Sequence, residues 1–398
     1  MSAASSRPIV VFGDDWGRHV SSMQHVFRPI LARRRVVWVN AIGHRVPALT
    51  PTDARRGIQK ARAMLQPRSR AAASPWDPGR PHALIQPRVL PWHHLAAVHA
   101  FNTWSLVRAI RRTLAAHGWT EPPVLVTGSP PSVGVVGRLG ECAAVYFCMD
   151  DFLHLPGVSA WMLEPLERRL LECVDAVVAT AESLTRSKAP RNGRAHYLPQ
   201  GVNDEHFATP QPEPADLAAI PRPRIGFAGG VSACCDFGMI RRIAQTYPSA
   251  SVVLVGPVTA PLDGMDLPNI HVLGPRPYGV LPAYVQAFDV GLIPYVLNDW
   301  TMAVDPLKLL EYLAAGLPVV TTAIPEVLKY GDAVHVAEDL EGFVRLVGAA
   351  LGEDRAASRE RGRAVARRNA WTARADQLLA ILDDVADRRG APSPLVAA

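Results

Sequence analysis

Residues 298–322 read NDWTMAVDPLKLLEYLAAGLPVVTT, a loop, a helix and a buried strand in succession. Asp305 and Pro306 form a helix-start pattern, because Asp is a good N-cap and proline is tolerated at the first helical position. Leu307, Leu310, Leu313 and Ala314 then recur at helical spacing, Gly316 stands where a C-terminal glycine belongs, and LPVV at 317–320 resumes as an apolar strand. Lys308 and Glu311 fall three apart on one helical face. That spacing fits a ligand carrying both phosphates and hydroxyls, since a helix start and a lysine attract anions while a carboxylate accepts from hydroxyls. It fits a surface ion pair on an ordinary amphipathic helix equally well.

Outward from this stretch, short apolar runs alternate with helical patterns along the chain. Strands are expected at Pro8–Gly13, Val36–Asn40, Pro123–Gly128, Ala143–Met149 and Asp175–Thr180, and again at Arg224–Ala228, Val252–Gly256, Ile270–Leu273 and Val290–Pro294. Helices are expected between them, including Ser22–Ala32, His99–His117, Ser132–Leu139 and Phe237–Thr246, with a long final helix over Arg355–Asp387. The proline-rich run Pro210–Pro223 separates two such series and reads as a linker. Alternation of this kind, broken once, predicts an α/β protein with two doubly wound domains.

The chain has 398 residues, enough for two cores, with 48% hydrophobic residues and a mean hydropathy of +0.07. No uninterrupted apolar run reaches the roughly 18 residues of a membrane span. MSAASSRPIVVFG passes from a polar tail into a strand without the pattern of a signal peptide, so a cytoplasmic location is expected. Cys142, Cys148, Cys173, Cys234 and Cys235 show no CxxC spacing and read as thiols, and no metal site is implied. Residues 1–210 hold 25 Lys+Arg against 15 Asp+Glu, and residues 1–100 hold 15 against 4. Such asymmetry suits an anionic partner. Nucleic acid is disfavoured because the arginines are scattered and no recognition motif is present. Peripheral contact of residues 1–100 with an anionic membrane is one reading, and an arginine-heavy style of sequence is the other.

The segment PLKLLEYLAAGLPVV resembles the donor-site signature of retaining, nucleotide-sugar-dependent glycosyltransferases of the GT-B fold, family 4 type. YFCMDDF at 146–152 resembles a phrase of a bacterial subset of these enzymes, and LPQGVN at 198–203 with His206-Phe207 resembles the phrase that ends their N-terminal domain, with Asn203 in place of the usual Asp. The resemblance implies a GT-B architecture: residues 1–208 an acceptor-side Rossmann-like domain, 209–223 the linker, 224–370 the donor domain, and 371–398 a helix crossing back to the N-terminal domain. It implies a nucleotide-diphosphate sugar as co-substrate, no cofactor or metal, and an acceptor that stays unidentified.

On this pattern Gly229, Gly230 and Lys308 are expected at the diphosphate and Glu311 at the ribose. Arg276 and Tyr278, from the LGPRPY segment, are expected beside the nucleobase, and Asn298, Asp305, Pro306 and Leu307 near the sugar. Asp14, Trp16 and Arg18, in a loop at the end of the first strand, read as acceptor-side residues. His19, Asp150 and Asp151 read as candidates for the reacting centre. Adjacent carboxylates at a strand end are poor packing residues, and a cap or loop salt bridge is the alternative. Two positions depart from the family pattern. Ala303 stands where a second Glu is common, with Asp305 or Asn298 as substitutes, and Ser232-Ala233-Cys234-Cys235 lacks the usual basic residue. These departures leave open an inactive GT-B-like partner subunit, and more remotely a nucleotide-sugar epimerase.

Overall fold

The computed structural model describes residues 7–18, 21–46, 79–190 and 193–390. Compactness divides the chain into an N-terminal unit ending at Leu198 and a C-terminal unit running from Pro199 to Arg374, with Ala375 onward rejoining the first. The N-terminal sheet contains β1 (Ile9–Phe12), β2 (Val36–Val39), β3 (Ala83–Ile85), β4 (Val124–Thr127), β5 (Ala143–Cys148), β6 (Ala176–Ala179) and β7 (Ala195–Tyr197). Its order is β3-β2-β1-β4-β5-β6-β7, all parallel. The C-terminal sheet contains β8 (Arg224–Ala228), β9 (Ser251–Val255), β10 (Ile270–Gly274), β11 (Val290–Ile293), β12 (Val319–Thr322) and β13 (His335–Ala337), in the order β10-β9-β8-β11-β12-β13. In each, the order reverses beside the first strand, which opens a crevice at the carboxyl ends of β1/β4 and β8/β11. Every residue of β1, β2, β4, β5 and β6 is buried, as expected of parallel strands covered on both faces.

Several elements depart from the sequence reading. The helix expected at Ser132–Leu139 is a 3₁₀ segment, Pro130–Val135. The helix Leu307–Ala315 has Pro306 at its N-cap with no side-chain cap, so Asp305 does not cap it. Gly316 does end the helix as expected, with φ of 81°. The long final helix is two, Arg355–Arg368 and Trp371–Gly390. The break has a backbone cause: Val202 N donates to Asn369 O at 2.9 Å and Trp371 N donates to Val202 O at 3.0 Å, so a single bridge to a passing extended segment takes the hydrogen bonds that would continue the helix.

Pro199–Ala208 packs within the C-terminal unit, ahead of the proline run. Phe207 is fully buried there, and Gly201 lies flat against Trp371, where an added Cβ would stand 2.7 Å from the indole. The helix Trp371–Gly390 begins in the C-terminal unit and continues into the N-terminal one. Within the latter it buries Ala375, Leu378, Leu382, Val385 and Ala386. Asp383 accepts from buried Arg34 at 2.9 and 3.1 Å.

Candidate active site

Side chains first set where the C-terminal crevice can open. The Tyr312 hydroxyl accepts from Ala228 N at 2.7 Å, which ties the helix Leu307–Ala315 to the last residue of β8. Gly291 in β11 makes room for that ring, since a Cβ there would stand 2.6 Å from it. The chain then leaves β8 through Gly229, with φ of 152°, where a Cβ would stand 2.7 Å from Cε of Lys308. Gly229 N donates to Val255 O at 2.8 Å, Val231 N to Pro257 O at 2.9 Å, and Val296 N to Cys234 O at 2.8 Å, so the loop is pinned on both sides. The amides of Gly230, Ser232, Ala233 and Cys234 make no hydrogen bond to any described residue. Free amides in a turn at a strand end form an anion-binding surface.

Lys308 lies beside this loop. Its ammonium donates to the Tyr295 hydroxyl and stands 4.6 Å from the Tyr295 ring centroid and 5.2 Å from that of Phe227. Burial raises the Tyr295 pKa, against the pull of Lys308, so the phenol is neutral and accepts from the lysine. Where the family pattern has a basic residue, the loop presents a thiol pair. Cys234 is lowered to about 6 by the hydrogen bond from Cys235, against burial, with Ser232 and Lys308 adding to the effect. Cys235 is pushed up by the same bond and by its burial.

Glu311, one turn along from Lys308, is buried, yet no described residue donates a hydrogen bond to it. Burial lifts its pKa to about 7, with Lys308 pulling it down. A buried carboxyl lacking a donor can take one from a ligand hydroxyl.

The remaining C-terminal candidates do other work. Asp305 is turned inward, accepting from Gln200 N at 2.9 Å and from Lys329 at 3.0 Å. Burial raises its pKa against Lys329. Its carboxylate thus holds the Pro199–Asn203 strip in place and is not a free substitute for the carboxylate missing at Ala303. Asn298 Oδ1 accepts from Thr301 N at 3.0 Å, shaping the loop before the helix. Pro306 accepts from Leu309 N at 3.0 Å, and Leu307 is half-buried. Arg276 is spent on Asp216 at 2.6 Å, the Tyr284 hydroxyl at 2.7 Å and Leu273 O at 2.7 Å. Tyr278 stacks on His206 with centroids 5.0 Å apart.

In the N-terminal unit, the loop after β1 carries exposed Asp14, whose carbonyl accepts from Trp38 Nε1 at 2.8 Å. Trp16 packs edge-on against Trp38 at 4.6 Å and donates to Gly79 O at 3.1 Å, and Arg18 pairs with Asp15. His19 lies outside the described residues. At the end of β5, the carbonyl of half-buried Asp150 accepts from Cys148 Sγ at 3.4 Å. For Asp151 the salt-bridge alternative holds: it accepts from Lys188 at 3.2 Å and from His154 Nδ1 at 2.7 Å. Burial pushes its pKa up, but these partners outweigh it and hold it below the usual range. Lys188, buried between Asp151 and Glu167, was not legible as a site residue because its partners are distant in sequence. His44 was also missed. It shares a 2.8 Å hydrogen bond with Ser129 Oγ and meets Phe152 edge-on, and burial beside His93 lowers its pKa to about 4. Tyr295 sits just past the end of β11, a position that strand-end reasoning can find.

Residues 235–353 match the family described as "Glycosyl transferases group 1". The chain is 30% identical over 227 residues to TuaH of Bacillus subtilis (strain 168), a glycosyltransferase assigned to teichuronic acid biosynthesis, and the match spans 53% of this chain and 57% of that one. Its fold resembles a UDP-forming α,α-trehalose-phosphate synthase from Burkholderia xenovorans, with a TM-score of 0.64 at 15% identity over 96% of this chain and 99% of that one. It also resembles Anabaena HepE in complex with UDP and glucose, with a TM-score of 0.64 at 14% identity over 95% and 100%. Residues 235–353 thus carry a group 1 glycosyltransferase domain, in a chain with the two-domain α/β fold of the GT-B glycosyltransferases.

Proposed function

We propose that the protein is a retaining glycosyltransferase that moves a sugar, in the hexose class, from a nucleotide-diphosphate sugar to an acceptor hydroxyl without a metal ion. The reading is carried by Glu311, a buried carboxyl with no donor among the described residues, set one helical turn from Lys308. Ribose hydroxyls would supply the missing donors. As the glycosidic bond breaks, its electron pair passes to the diphosphate, and Lys308, the amides around Gly230 and the start of the helix Leu307–Ala315 would stabilise that charge. Similar folds have been seen with UDP and glucose or with UDP-glucose in HepE, and with UDP-2-fluoro glucose in an E. coli relative, which supports a nucleotide sugar as donor. Among the described residues, no helix is long and apolar enough to cross a membrane. A cytoplasmic site of action is part of the proposal.

Incubation with a panel of nucleotide sugars should release nucleoside diphosphate from at least one. Glu311→Ala should weaken nucleotide binding in calorimetry by about 1–3 kcal/mol, the worth of hydrogen bonds to a charged group, and leave the melting curve of the free protein cooperative. Unchanged affinity removes Glu311 from the ribose. A partner subunit would show no release and no nucleotide protection with any donor, and an epimerase would convert the sugar without release.

A further inference from the structure

The N-terminal unit contains a cavity of about 800 Å³ that none of the residues assigned above lines. Its walls are the helices Ala96–Ala116 and Ala160–Cys173 and the 3₁₀ segment Pro130–Val135. Among the described residues, five arginines reach it, Arg108, Arg111, Arg112, Arg138 and Arg169, and no carboxylate lines it. None of the five is ion-paired with a described residue. Convergent unpaired guanidiniums repel one another, and their planar forks match phosphate oxygens. His99 lines the same cavity with both ring nitrogens buried and without a hydrogen-bond partner among the described residues. Gly134 leaves it space, since a Cβ there would stand 3.0 Å from His99 Nε2 and 2.1 Å from Thr103 Oγ1.

The rim is apolar. Trp104 is 59% exposed, Phe101 46% and Trp161 61%. Phe101, Trp104 and Arg108 share a helix face, with the Arg108 guanidinium 5.7 Å from the Trp104 ring centroid. Exposed tryptophans beside arginines are the composition of a surface that lies at a membrane interface. A soluble anion would need the arginines and not the exposed indoles.

We propose that this cavity binds the phosphate or diphosphate group of a lipid, with the arginines taking the anion and Phe101, Trp104 and Trp161 entering the apolar layer beside it. The site belongs to the N-terminal unit alone and does not rest on the transferase reading. Flotation of the full chain with phosphatidylglycerol vesicles, with phosphatidylcholine vesicles as the comparison, tests it. The wild type should float with the anionic vesicles and not the zwitterionic ones. Arg108→Gln with Arg112→Gln should weaken binding on the order of thirtyfold, as expected for two basic residues at an anionic surface. Trp104→Ser with Trp161→Ser should weaken it with no change of charge. Arg242→Gln with Arg388→Gln, which removes the same charge outside the cavity, should cost much less. The proposal fails if the wild type ignores anionic vesicles, or if the control pair costs as much as the cavity pair. It fails equally if inorganic diphosphate binds the tryptophan variant as it binds the wild type while vesicles bind neither, which would mark a soluble-anion site.

Discussion

A carboxyl group held above its ordinary pKa by burial lowers stability at neutral pH, and Glu311 is such a group. Its pKa rises from 4.5 to about 7, so the native state favours the protonated form more than the unfolded chain does. Stability on this account is full below pH 4.5 and is lost as pH rises through 7. The loss at the top of that window is on the order of 3 kcal/mol. Glu311→Gln keeps the shape and removes the titration. Denaturant titrations should find the variant equal to wild type at the acid end of the window and more stable at the alkaline end. Equal stability at both ends would show that Glu311 already has a donor, and would remove the basis for assigning it to a ligand. Lys308 differs in kind, because Tyr295 and Phe227 already satisfy it in the free protein. An incoming diphosphate must compete with the phenol for its ammonium.

At the level of the element, glycines decide how closely helices and strands approach. Gly201 is the clearest test, since a Cβ would stand 2.7 Å from the Trp371 ring, which is buried and held by its own backbone pairing to Val202. Gly201→Ala should cost about 1–3 kcal/mol by overpacking, read as a lower melting temperature of the C-terminal unit. Gly229→Ala combines an unfavourable φ of 152° with a clash at Lys308. It should cost about 1–3 kcal/mol and weaken nucleotide binding as well. Binding at wild-type strength would show that Lys308 is not near the ligand. Elements of this kind were legible in the sequence because buried parallel strands read as continuous apolar runs, and Gly316 ends its helix through purely local geometry. Asp305 was misread for the opposite reason. An Asp before a helical proline has the local chemistry of a cap, and only the folded chain brings Lys329 and Gln200 to it. The split of the final helix was hidden for the same reason, since Val202 lies far away in sequence.

For the whole molecule, the chain leaves its N-terminal unit at Leu198 and returns to it at Ala375, so the C-terminal unit is an insertion between two parts of the other. The returning segment buries Leu378, Leu379, Leu382 and Val385 in the N-terminal unit. Four such side chains stabilise by about 6 kcal/mol or more, which is comparable with the roughly 5–15 kcal/mol that hold a domain folded. The pair Arg34–Asp383 adds to this dependence: Arg34 is almost wholly buried, and Asp383→Ala would leave its guanidinium uncompensated at a cost of about 3 kcal/mol. Loss of the exposed pair Arg388–Asp384 should cost less than about 1 kcal/mol. A chain ending at Arg374 should therefore lose the calorimetric transition of the N-terminal unit and keep that of the C-terminal unit. Nucleotide should still raise the transition that remains, because a ligand stabilises only the unit that binds it. If both transitions vanish together, the two units fold as one cooperative body. If both persist, the returning helix contributes little of the N-terminal core.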